Sequence, residues 1–128
     1  MFRQIEGLSR GVFGFEVGGR VMRDDVDAVM GAFEATVAEG YDVALLIEYH
    51  ADMAEDRGVD EIRFHNRLSA RGRTQRFAFV GDRKWRTRFD NFARFIGCDA
   101  RMFLPGQRDT VLTWLLEAPF LKVENDAG

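Results

Sequence analysis

Two hydrophobic periods alternate along the chain. In GVFGFEVGG, residues 11–19, Phe13, Phe15 and Val17 occupy every second position, the spacing of a strand with one covered face. FRQIE at 2–6 predicts a shorter strand before it, and the intervening GLSRG predicts a hairpin. From 23 to 40 the period lengthens. Val26, Val29, Met30, Phe33 and Val37 form a helical stripe, with Asp24 or Asp25 placed to cap its start and Gly40 to stop it. DVALLIEYH at 42–50 has no alternation. Its unbroken apolar run from Val43 to Ile47 predicts a central strand covered on both faces.

A polar loop is expected over ADMAEDRG, 51–58, followed by a helix over 59–72 whose apolar positions, Val59, Ile62, Phe64 and Leu68, make only a loose stripe. RFAFVG at 76–81 predicts a second buried strand. RKWRTRFDNFARFI at 83–96 predicts a helix with Trp85, Phe89, Phe92 and Ile96 inward. DARMFL at 99–104 predicts a short strand. The segment from 105 to 118 predicts a last helix with Val111, Leu112, Trp114, Leu115 and Leu116 along its apolar edge; Pro119 ends it and the remainder is expected to be a tail. The order ββαβαβαβα, with about four helices, implies an α/β fold on a mixed five-stranded sheet, mostly parallel after the first strand. The expected layout is one domain over 1–118 and a tail over 119–128.

Composition supports a single folded unit. At 128 residues and 46% hydrophobic, with twelve phenylalanines, the chain can bury about two thirds of its unfolded surface. No apolar run approaches the roughly 20 residues of a membrane span, and MFRQIEGLSR lacks the apolar core of a signal peptide. The single cysteine, Cys98, excludes an internal disulfide and fits a reducing cytoplasm, the expected location.

Charge is distributed unevenly. Residues 63–94 carry ten cations against two acids, or +8; the rest carries eight against nineteen, or −11. Such segregation suits a complementary partner surface, on which Arg67, Arg71, Arg73, Arg83 and Arg86 are the candidate contacts, with a second copy of the chain as one partner. An ordinary solvated pair of helices explains it too. Nucleic acid is disfavoured: the isoelectric point is about 5.4, and Phe89 and Phe92 are needed inside.

FAFVGDRKW at 77–85 and the closing RMFLPGQRDTVLTWL resemble the SpoIIAA-like family of STAS-type bacterial domains. The resemblance covers roughly residues 1–117. Gly81, Asp82, Lys84 and Trp85 match its GDxKW turn, and Trp114-Leu115 its terminal element. It implies a fold similar to that of anti-sigma factor antagonists and, more distantly, of CRAL-TRIO lipid-carrying domains. The antagonists proper carry a phosphorylatable serine in a short turn after the central strand. EYHADMAEDRGVD, at that place here, holds no Ser or Thr; the nearest hydroxyl is Ser69. The phospho-switch therefore does not transfer.

Candidate chemistry gathers at the carboxyl ends of the strands, where α/β sheets bind ligands. Asp82 reads as an N-cap and Trp85 as a core anchor. Lys84 and the first-turn amides offer an anion site, and His50 and Glu48, closing the third strand, can share that crevice, so Asp82, Lys84, Trp85, His50 and Glu48 are the candidate ligand contacts. The expected function is a non-enzymatic binding or regulatory module for a protein partner, itself included, or for a small apolar or anionic ligand. The alternative is a small enzyme with an acid–base site at His50, Asp82 and Lys84. No metal-binding spacing of Cys and His occurs and no cofactor is expected.

Overall fold

The computed structural model of the protein describes residues 1–9, 11–39, 42–50 and 74–117. β1 (Phe2–Gln4) and β2 (Val12–Val17) pair antiparallel, with Phe2 opposite Val17. β3 (Val43–Tyr49), β4 (Thr74–Val80) and β5 (Asp99–Phe103) then add in parallel, so the spatial order of the sheet is the chain order. The helices are α1 (Arg23–Ala38), α2 (Arg86–Ile96), entered through a 3₁₀ turn at Arg83–Trp85, and α3 (Arg108–Leu116). This is the expected mixed five-stranded α/β sheet, with three α-helices among the described residues. The helix expected over 59–72 and the tail at 119–128 lie outside them.

The pleat sorts the strand residues onto two unlike faces. On one, Phe13, Phe15, Leu45, Ile47, Phe77 and Phe79 meet the stripes of α1 and α2, including Met30, Phe33, Trp85, Phe89, Phe92 and Ile96. Rings fill this layer: Phe77 and Phe79 each lie within about 6 Å, centroid to centroid, of Phe89 and Phe92. On the other face Ala44, Leu46, Ala78 and Val80 are smaller, and Val111, Trp114 and Leu115 of α3 cover them. All seven residues of β3 are buried, as its unbroken apolar run implies.

Several local details differ from expectation. Asp24 and Asp25 do not cap α1; they stand in its first turn, favourable to the helix dipole, while Met22 occupies the cap position without a side-chain bond. Leu116, expected on the apolar edge of α3, is exposed. Gly97 ends α2 at φ 72°, its N–H donating to Ala93 O at 3.0 Å, the left-handed stop that glycine favours. Gly81 is needed for space rather than for an unusual φ. A Cβ there would lie 2.9 Å from Phe79 Cε1 and 3.5 Å from Trp85 Cδ1.

Candidate functional site

The carboxyl edge of the sheet carries two groups of charge. The first begins with Glu16 and Glu48, which the parallel register of β2 and β3 places side by side. Both are nearly buried, on the face covered by α3. Two adjacent carboxylates repel, so each needs a cation. Arg3 reaches across from β1 and donates to Glu16 Oε1, from Nε at 2.9 Å and from Nη2. Arg108, the first residue of α3, grips Glu48 with both ends of its fork, Nε to Oε2 at 2.9 Å and Nη2 to Oε1. His50 is half exposed, and its Nε2 lies 3.6 Å from Glu16 Oε2. Burial pushes the Glu16 carboxyl up, but the Arg3 hydrogen bond and charge, with His50 adding to them, outweigh it and hold the group below its ordinary value. The hydrogen bond to Glu48 likewise raises Arg108.

One ligand atom from each of Glu16, Glu48 and His50 lies within 4.8 Å of the others, so these three are the described residues grouped closely enough to hold a cation. The two carboxylates are already balanced by two guanidinium groups. An ion entering there would compete with Arg3 and Arg108.

The second group surrounds the turn after β4. Asp82 caps the 3₁₀ turn as expected, accepting from Lys84 N at 3.1 Å. Lys84 Nζ lies 5.2 Å from the centroid of the Trp85 ring. Trp85 itself is only 5% exposed and packs edge-on to Tyr49 at 5.4 Å, so its ring belongs to the core; its indole N–H finds no hydrogen-bond acceptor among the described residues. Beside the turn lies a cleft of about 480 Å³ lined by Arg83, Arg86, Met102, Phe103 and Leu104. The bond from Gly81 N to Phe103 O, 3.0 Å, holds the end of β5 against the turn and so fixes one wall against the other. Arg86 Nε is 3.2 Å from Asp90 Oδ1 in an exposed i,i+4 pair. Arg83, also exposed, has no ion-pair partner among the described residues.

The residues singled out in the sequence are thus divided. Glu48 and His50 do share an edge, but their partners are Arg108 and Glu16. Asp82 and Lys84 bond to each other in the turn. Of the proposed partner surface, Arg83 and Arg86 line the cleft, while Arg67, Arg71 and Arg73 lie outside the described residues. Arg76, counted in the basic segment, is tied inward: it donates from Nη1 to Trp114 O at 2.7 Å and pairs with Asp99. Sequence reasoning missed Glu16, Arg3 and Arg108. The signal for Glu16 was present, since it is the one charged residue within GVFGFEVGG and alternates with buried phenylalanines.

The SpoIIAA-like family matches residues 12–116, most of the chain and all of the sheet except β1. The chain belongs to the SpoIIAA-like family. Membership agrees with the sheet order and with the GDRKW turn at the carboxyl end of β4. No curated protein and no solved structure gives a significant match. Among the described residues of this SpoIIAA-like domain no helix is long and apolar enough to cross a membrane.

Proposed function

We propose that this SpoIIAA-like domain is a non-enzymatic binding and regulatory module, and that it engages an anionic group at the carboxyl edge of its sheet through Arg83 and Arg86. The observation that carries this reading is the cleft beside the β4–α2 turn, lined by both arginines, of which Arg86 pairs with the exposed Asp90 and Arg83 has no ion-pair partner among the described residues. Guanidinium forks match carboxylate and phosphate oxygens in a way a point charge does not. Lys84 is a weaker candidate, because Asp82 takes up its backbone N–H and its ammonium lies over the Trp85 ring, 5.2 Å from the centroid. The thermal midpoint in millimolar phosphate or sulfate, at constant ionic strength, tests the reading. Binding to the folded state should raise the parent by mass action and leave an Arg83→Ser/Arg86→Ser variant unmoved. Equal shifts in the two proteins would remove the cleft from consideration.

A second reading is favoured by one contact, that of His50 with Glu16. A half-exposed imidazole beside an ionised carboxylate can accept and return a proton, so in the acid–base alternative His50 keeps its place and Glu16 replaces Asp82 and Lys84 as its partner. Hydrolysis of activated esters that disappears in His50→Ala would support it; the same rate in parent and variant would exclude it.

A further inference from the structure

We infer that the ligand of the cleft is an amphiphile, a carboxylate or phosphate monoester head on an apolar body, rather than a small inorganic anion. The inference rests on the anion reading above and adds the chemistry of the rest of the ligand. The lining is mixed. Arg83 and Arg86 bring charge to the lining, and Met102 and Phe103 at the end of β5, with Leu104 just after it, bring apolar surface. At about 480 Å³ the space lies in the range that holds organic ligands, well beyond what one phosphate fills. Leu104 is 41% exposed at this mouth, an apolar side chain left in water where an apolar body would cover it. Phe103 is fixed below by its contact with Trp114, centroid to centroid 5.8 Å, so the floor is formed before any ligand arrives. Arg86 divides its guanidinium between Asp90 and the Phe89 ring, 5.5 Å from its centroid. Arg83 has no ion-pair partner among the described residues, and its charge is the one available to a head group.

Isothermal titration of the folded protein with acetate, hexanoate, octanoate and decanoate, each as monomer, tests this, with inorganic phosphate as the head-only probe. Affinity should climb about two- to fourfold per added methylene and level off once the cleft is filled. Leu104→Ser should flatten that climb and spare the phosphate response. Arg83→Ser should weaken every member of the series alike. Both positions are exposed, so both variants should fold. Acetate and decanoate binding equally, in a protein that still responds to phosphate, would overturn the amphiphile and leave the anion reading standing. Silence to phosphate and to every carboxylate would overturn both. Co-sedimentation with phosphatidylserine vesicles, in a protein that ignores monomeric decanoate, would also overturn it and assign the cleft to a membrane surface.

Discussion

The two charge groups on the carboxyl edge differ in how they are satisfied. Around Glu16 and Glu48, two nearly buried acids are held by two arginines from distant elements, and the charges cancel locally. Around Arg83 and Arg86, two exposed cations line a cleft, and of the two only Arg86 has an ion-pair partner among the described residues, the exposed Asp90. The closed group joins the β1 hairpin and α3 to the central strands, and its energetics belong to folding. The open group contributes little to folding and has charge left for a ligand. Desolvation separates them: a buried carboxylate cannot go unpaired cheaply, whereas an exposed guanidinium can, because water solvates it.

The largest effect should come from the residue on which the open group hangs. Trp85→Ala removes a core ring beneath the turn and should cost about 3 to 5 kcal/mol through the cavity it leaves. A loss under about 1 kcal/mol in urea denaturation would mean that Trp85 does not anchor the turn. Next, Arg108→Ala strands Glu48 and should cost about 1 to 2 kcal/mol, less than for a fully buried pair because Arg108 is 47% exposed. Replacing both, as Glu48→Leu/Arg108→Met, should recover much of that loss; if the double variant is no better than the single one, the closed group is more than mutual compensation.

The closed group should also respond to acid. The folded Glu16 carboxyl lies below its ordinary value of 4.5, so its contribution is complete above that pH and is lost as pH falls through the lowered folded value. Thermal midpoints from about pH 6 to about pH 3 should fall less steeply in Glu16→Gln than in the parent; parallel curves would deny the linkage. Arg83→Ser should move stability by no more than about 0.5 kcal/mol. A clear destabilisation would place Arg83 among the structural charges and erase the contrast. Cys98 is a thiol outside both groups and bears on neither one's stability. Burial, with the neighbouring Asp99 charge, pushes it up to about 11. Its reaction with a disulfide reagent near pH 8 should be about two orders of magnitude slower in the folded protein than in urea. Similar rates would show that the thiol is open to solvent.

Much of the sheet was legible because strand and helix periods are local. Val43 to Ile47 has no polar break, and β3 is buried throughout. The stripe of Trp85, Phe89, Phe92 and Ile96 is the buried side of α2 and its entering turn. The site was legible only in its local parts, such as the Asp82 cap. Glu16 meets Glu48 through a register that no short window of sequence contains, and Arg108 reaches Glu48 from 60 residues away. Met102 and Leu104 share a cleft with Arg83 because β5 docks against β4. What Gly81 supplies is a missing side chain that lets Phe79 and Trp85 pack close to it, a demand set by the folded neighbours.

The identity of spatial and chain order bears on synthesis. A sheet that grows from one side only, β1 through β5, can assemble as the chain emerges, each strand meeting a neighbour already made. The cover for its second face comes last: among the described residues α3 is the helix that packs on Ala44, Leu46, Ala78 and Val80. Until residues 108–116 leave the ribosome, the nascent sheet presents that face together with an unpaired leading edge. A chain truncated just short of Arg108 would carry β1 through β5 without α3 over Ala44, Leu46, Ala78 and Val80, a species primed for edge-to-edge aggregation or for capture by a chaperone.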